Sequence, residues 1–229
     1  MFQREPVITA ILRQVALFRT LDDEQLLHIV ALLKERRFRR DETIFHQGDP
    51  GNCLYIIGAG RVRIYLVSQD GREITLRIYG RGAAFGEFAV LDGEERSTSA
   101  AAMGDLTTYV LFRDDFMNLL RQNFNIVQHV IGMLTERLRY TTSYSENLAF
   151  LSGPERVAGL LVQLASADPD ASGPIRLEIT QQELANFAST TREWVNHTLR
   201  NFAAQGLVRI ERGAVIVLDR EALQQQMKA

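Results

Sequence analysis

Apolar and polar positions follow three regimes along the chain. Over residues 5–37 the apolar residues fall at helical spacing. Thr20 is placed to cap LDDEQLLHIVALLKERRF, with acids in the first turn and bases in the last, as the helix dipole favours. From about 38 to 113 the period drops to two. Val62, Ile64 and Leu66 alternate with Arg61, Arg63 and Tyr65, Ser68-Gln69-Asp70-Gly71 signals a turn, and Ile74, Leu76 and Ile78 alternate again. That pattern predicts a hairpin. Gly48-Asp49-Pro50-Gly51, Gly58, Gly60, Gly80, Gly82, Asp92-Gly93 and Gly104-Asp105 punctuate further short strands, which predicts a β sandwich or jelly roll. From 114 the helical period returns. Val127, Ile131, Leu134, Leu138, Thr141, Ser145 and Leu148 are spaced four and three apart, a seam of about three heptads that predicts a dimer. The seam turns polar at Thr141 and Ser145. Two readings of that end are open: a solvated helix end, or a polar seat that fixes register or meets a ligand.

Leu151-Ser152-Gly153-Pro154 breaks the long helix and reads as a hinge. PERVAGLLVQLAS is a further amphipathic helix and DPDASGP a loop. QQELANFA and TREWVNHTLRNFAAQG form two helices around a short turn, and VRIERGAVIVL closes the chain as a Gly-turn hairpin. Two helices followed by a two-stranded wing are a winged helix-turn-helix. Thr180 caps the first helix, and Glu183 three residues on completes a capping box. Val195, Leu199 and Phe202 form the inner face of the second helix. Thr191, Arg192, Glu193 and His197 are left on its outer face near the N-terminus. An arginine there can fork onto O6 and N7 of guanine, and a glutamate can accept from N4 of cytosine.

Composition narrows the picture. Net charge is −2, and residues 154–229 carry 8 Lys/Arg against 9 Asp/Glu, so a DNA contact must come from a local patch. No run of about 18 apolar residues is present, and the N-terminus lacks a signal-peptide pattern, so no membrane association and a cytoplasmic location are expected. A single cysteine, Cys53, excludes an internal disulfide or a cysteine-ligated cluster within one chain, and it reads as a small residue at a strand start. His28, His46, His129 and His197 lack metal-ligand spacing, so no metal is expected. Trp194 is expected to pack the second helix against its neighbours, an exposed phosphate contact being the alternative. Nothing resembles a catalytic triad or a paired-carboxylate site, and no enzyme activity is expected.

FGEFAVLDGEERSTSA, residues 85–100, carries a Gly-Glu pair and then an Arg-Ser pair followed by small residues. Gly86 lets backbone approach a ligand, Glu87 can accept from a sugar hydroxyl, Arg96 can clamp a phosphate and Ser97 can add a donor. The plainer alternative is a surface ion pair of Glu87 with Arg96.

This segment resembles the phosphate-binding cassette of the cyclic-AMP receptor protein/FNR (CRP/FNR) family. RLRYTTSYSENLAFL (137–151) resembles the end of that family's dimer helix, and ITQQELANFASTTREWVNHTLRNF its helix-turn-helix, so the likeness spans nearly the whole chain. The resemblance implies an α+β fold: a β jelly-roll cyclic-nucleotide-binding domain with N-terminal helices over 1–113, a dimerisation helix over 114–150, a hinge at 151–153 and a winged helix-turn-helix over 154–229. It implies that Gly86, Glu87, Phe88, Arg96, Ser97, Thr141 and Thr142 bind the effector. Glu87 would hold the ribose, Arg96 and Ser97 the cyclic phosphate, and the threonines the base, with one threonine from the partner subunit; Arg137 would assist by charge. It implies that Thr180, Thr191, Arg192, Glu193 and His197 meet double-stranded DNA. The expected protein is a homodimeric transcription regulator gated by cAMP, with cGMP the alternative effector. It would bind a palindrome of TGTGA-like half-sites and touch RNA polymerase, with 168–174 placed like the family's activating loop. Two positions depart from the family pattern: Ser189 stands where glycine is usual in the turn, and His197 where a relative has a third base-reading arginine. Two other functions are open: a regulator of the same fold sensing cyclic di-GMP, haem or redox state, and a cyclic-nucleotide module controlling another protein.

Overall fold

The computed structural model describes residues 5–166 and 173–227. The chain forms two compact units, Met1–Arg72 with Leu76–Arg139, and Glu73–Thr75 with Tyr140–Ala229.

The first unit opens with α1 (Glu5–Leu12) and α2 (Asp23–Leu32), followed by strands β1 (Lys34–Phe38), β2 (Thr43–Phe45), β3 (Cys53–Ala59), β4 (Val62–Val67), β5 (Glu73–Tyr79) and β6 (Ala84–Phe85). Then come α3 (Glu87–Asp92), β7 (Ser99–Ala102), β8 (Leu106–Phe112), α4 (Arg113–Gln122) and the long α5 (Phe124–Phe150). The strands make two four-stranded sheets, ordered β1-β8-β3-β6 and β2-β7-β4-β5. One apolar cluster, with Phe45, Ile57, Val62, Phe85 and Val110, fills the jelly roll. A second joins α1, α2, α4 and the start of α5 through Leu12, Phe18, Leu26, Phe116 and Val130. β7 reads Ser-Ala-Ala-Ala and is buried throughout, so small side chains form the strand that follows the Arg-Ser pair.

Two N-terminal details differ from the sequence pattern. Asp22, not Thr20, caps α2: its carboxylate accepts from the Gln25 amide at 2.8 Å while the Gln25 side chain accepts from the Asp22 amide at 3.1 Å. Only a residue three positions before a Gln or Glu can close this reciprocal box, and Thr20 is not so placed. The helix also stops early. Lys34–Phe38, which looked like its basic last turn, pairs antiparallel with β8 from Lys34↔Val110 to Phe38↔Leu106. It lies at a sheet edge, where charged side chains are tolerated and discourage further pairing.

The second unit contains the C-terminal end of α5, then α6 (Gly153–Ala165), β9 (Ile175–Leu177), α7 (Gln181–Ala188), α8 (Arg192–Ala204), β10 (Val208–Glu211), β11 (Ala214–Val217) and α9 (Arg220–Gln225). Pro154 sits in the first turn of α6, where its missing N–H costs nothing. Val157, Leu161, Leu184, Val195, Leu199, Phe202 and Val215 share one core. The wing is a three-stranded sheet, β10-β11-β9, wider than the predicted hairpin by β9.

Candidate functional site

The Gly-Glu and Arg-Ser pairs meet at the start of α3. Gly86 lies between β6 and α3 as the N-cap of the helix, at φ 78°, ψ 15°, a left-handed conformation that favours glycine. Space demands glycine too, because a Cβ there would lie 2.7 Å from Nη1 of Arg96.

Glu87 is 1% exposed. A buried carboxylate needs a partner, and it has one in Arg137 of α5, whose Nε lies 2.9 Å from Glu87 Oε1. Burial nevertheless pushes the Glu87 carboxyl above its ordinary value, against the opposing pull of Arg137. The same guanidinium donates to the Ala84 carbonyl at 2.7 Å and to the Tyr79 hydroxyl, and it lies 4.8 Å from the Tyr79 ring centre. Burial raises the Tyr79 phenol in turn. Arg137 thus fixes the carboxylate, and the plainer alternative, a surface ion pair of Glu87 with Arg96, is not what forms: both side chains are buried.

Arg96 is 4% exposed. Its Nη1 donates to Gly86 O at 2.6 Å and its Nη2 to Cys53 O at 2.7 Å. The guanidinium carbon stands 4.3 Å from the Phe45 ring centre, within a trio of rings completed by Tyr55 and Phe85. Burial, then Cys53, pushes the Tyr55 phenol up to about 12. Its own backbone holds the neighbouring loop, with Arg96 N–H donating to Asp49 O and Arg96 O accepting from Gly48 N–H.

Glu87 Oε2, an acceptor, and Arg96 Nε, a donor, are buried here without a hydrogen-bond partner among the described residues. Leaving such atoms unsatisfied costs about 1–3 kcal/mol each, more for charged groups. A ligand carrying both a hydroxyl and an anionic oxygen would satisfy the pair. Phe88 and Ser97 are exposed beside them. Thr141 and Thr142 lie on α5 past Arg137, on exposed turns that group with the second unit. The structure therefore brings Gly86, Glu87, Phe88, Arg96 and Ser97 together, and adds Tyr79 and the Cys53 carbonyl. Neither addition has a sequence signal: Tyr79 is fifty-eight residues from Arg137, and a backbone carbonyl carries no signature.

In the second unit Thr180 caps α7, its hydroxyl accepting from the Glu183 amide at 3.1 Å while the Glu183 carboxylate accepts from the Thr180 amide at 2.7 Å. Thr191 caps α8 by accepting from the Trp194 amide at 3.3 Å. Both threonines are exposed, as are Arg192, Glu193 and His197. The Glu193 carboxyl is held below its ordinary value, first by its own backbone amide and then by Thr191. Val195, Leu199 and Phe202 are buried on the opposite face. Trp194 does not pack inward as predicted. It is 55% exposed, its ring edge-to-face with His197 at 6.4 Å, and the His197 ring meets the Asn201 amide at 3.3 Å. Each helical residue turns about 100° from the last, so the apolar face through Val195, Leu199 and Phe202 leaves Trp194 outside it. A groove of about 300 Å³ lies between the start of α7, Arg192 and the wing from Ile210 to Val215.

Among the described residues there is no cluster of three or more His, Cys, Asp or Glu able to hold a metal, and no helix long and apolar enough to cross a membrane.

Residues 35–123 match the family model for a cyclic nucleotide-binding domain, and residues 155–226 that for a Crp-like helix-turn-helix domain. The chain is 34% identical over 209 residues to the cyclic AMP receptor protein of Thermus thermophilus, covering 91% of this chain and 95% of that one. It is 32% identical over 216 residues to a CRP-like cAMP-activated global transcriptional regulator of Mycobacterium tuberculosis, covering 93% and 96%. The solved structure of the c-di-GMP responsive global regulator CLP of Xanthomonas campestris shares the fold, with a TM-score of 0.77 at 24% identity over 86% of this chain and 100% of that one.

Proposed function

This chain belongs to the CRP/FNR family of transcription regulators, and on that premise we propose that its first unit binds a cyclic mononucleotide, cAMP foremost, to control DNA binding by the second. The observation that carries this reading is the orphaned pair, Glu87 Oε2 and Arg96 Nε. A ribose hydroxyl suits the carboxylate, and a cyclic phosphate suits the guanidinium, Ser97 and the amides that follow Gly86. The names of the Thermus and Mycobacterium relatives support cAMP. Arg192, Glu193 and His197, projecting from α8, suit the major groove of a palindromic TGTGA-like site. Ile131 and Leu138 stand 58% and 68% exposed along α5, which suits pairing with a second copy. RNA polymerase contact through 168–174 belongs to the same proposal, but residues 168–172 lie outside the described ones.

Calorimetric titration with cAMP, cGMP and cyclic di-GMP tests the reading. Wild type is expected to bind cAMP, and Arg96→Lys, which keeps the charge but loses the fork, to bind it at least about tenfold more weakly. Equal affinities in the two proteins, or binding of cyclic di-GMP alone, would overturn it.

A further inference from the structure

Two separate links, both within the second unit, tie the end of α5 to the turn of the helix-turn-helix. The first is a side-chain pair: the Tyr144 hydroxyl lies 3.1 Å from Ser189 Oγ, with Tyr144 on α5 and Ser189 at the end of α7. The second is Arg156 of α6. Its Nη1 donates to the Leu151 carbonyl at 2.6 Å, its Nε to Ala188 O at 2.8 Å, and its Nη2 reaches Ser189 O at 3.5 Å. Leu151 directly follows α5, and Ala188 is the last residue of α7. One guanidinium therefore spans the carbonyl ends of two helices, where the helix dipoles concentrate negative charge. A planar fork is pre-organised for this, whereas a point charge on a flexible stem reproduces it only in part.

Ser189 itself is informative. It adopts φ 49°, ψ 51°, one of two non-glycine residues with positive φ among the described residues. A Cβ is disfavoured there, and glycine would sit without strain. What serine supplies in exchange is the hydroxyl that meets Tyr144. Only Thr190 and Thr191 separate this position from Arg192, and the Thr190 amide is itself bonded to Ala185 O at 3.1 Å. A displacement of Ser189 is thus carried directly into the first turn of α8, where Arg192 and Glu193 project.

We propose that Tyr144, Ser189 and Arg156 are positioning residues for DNA recognition: they fasten the start of α8 to the end of α5, so that a shift in the long helix is delivered to the base-reading side chains. Where a nucleotide is the source of that shift, the inference rests on the reading in the preceding subsection. A ligand changes DNA affinity only through a difference in its affinity for two arrangements, and a loose fastening lets α8 adopt either arrangement whatever α5 does.

The test uses the full-length protein and a fluorescent palindromic duplex carrying TGTGA-like half-sites. DNA affinity is measured by anisotropy with and without saturating cAMP, and the ratio of the two is the coupling factor. Tyr144→Phe, which removes only a hydroxyl, should cut the factor by about three- to tenfold, the worth of one hydrogen bond. Ser189→Gly should cut it similarly. The double variant should fall no further than either single, because both delete the same contact. Arg156→Met should lower the factor about tenfold or more, with Arg156→Lys regaining part of the loss, and cAMP affinity without DNA should change by less than about twofold in the Tyr144 and Ser189 variants. Single variants that keep the wild-type factor, or a double variant whose loss is the product of the two singles, overturn the inference. A wild type without any coupling factor overturns the nucleotide-gated reading instead. In that event the same double-mutant cycle on DNA affinity alone decides the positioning role, additivity counting against it. Should Arg156→Met fail to fold, the Tyr144–Ser189 cycle stands by itself.

Discussion

Replacing Gly86 with alanine separates backbone strain from crowding at the candidate ligand site. At φ 78° a Cβ costs about 1–2 kcal/mol. That Cβ would also stand 2.7 Å from Arg96 Nη1, closer than carbon and nitrogen can approach. Arg96 cannot swing aside freely, since Nη1 is bonded to Gly86 O and Nη2 to Cys53 O in a buried setting. Moving it forfeits at least the first of these bonds, a charge-assisted one worth about 1.5–3 kcal/mol. Together the loss is about 2.5–5 kcal/mol. Gly71 supplies the control. It sits in the β4–β5 turn at φ 80° with nothing within 4 Å of its would-be Cβ, so Gly71→Ala should lose only the backbone share, about 1–2 kcal/mol. In differential scanning calorimetry the transition of the first unit should drop by roughly 7–20 °C for Gly86→Ala and by a few degrees for Gly71→Ala. Titration with cAMP should then show at least about a tenfold loss of affinity for Gly86→Ala if, as proposed, the displaced guanidinium is the phosphate clamp. Equal losses of stability in the two variants would refute the crowding, and wild-type cAMP affinity in Gly86→Ala would refute the placement of Arg96 in the site.

Two further outcomes follow from geometry already described. Arg192→Ala should weaken binding to a palindromic site by about 1–3 kcal/mol and relax one base position per half-site, read by in vitro selection; the same selected motif for both proteins would count against base reading by Arg192. The raised Glu87 carboxyl sets a pH dependence. The folded state holds that proton more tightly than the unfolded chain does, so the group's contribution to stability is full below the ordinary carboxylate value of ~4.3 and declines as pH rises toward the folded value. In denaturant melts of the ligand-free protein, wild-type stability minus that of Glu87→Gln should fall with rising pH just above ~4.3 and then level off; curves that stay parallel through that window would contradict it.

Sequence pattern and structure agree where short-range chemistry decides and part where distant partners do. The box of Thr180 with Glu183 spans three residues, and the helix pair it opens is present as predicted. Val195, Leu199 and Phe202 define one face by helical spacing alone, and all three are buried. The alternating strands around Ser68–Gly71 likewise form neighbours in one sheet. By contrast, Lys34–Phe38 is a strand only because β8, some seventy residues later, pairs with it. Glu87 finds Arg137 fifty residues away, across a fold that no local spacing encodes. β9 is three residues long, too short to show a period, and is fixed by its register with Val215–Val217. The choice of Asp22 over Thr20 was legible in principle, since Gln25 stands three residues beyond Asp22. The Arg156 links to Leu151, Ala188 and Ser189 join backbone carbonyls, which every residue has and no side-chain pattern marks.

The chain has a single tryptophan, and Trp194 stands largely in water on α8, beside Arg192 and Glu193. The molecule therefore carries its own fluorophore at the surface it would lay against a duplex. An indole that passes from water to the flank of stacked bases changes both emission colour and yield, so operator occupancy becomes visible on the unlabelled protein. With no second indole to contribute background, that signal originates from one turn of one helix.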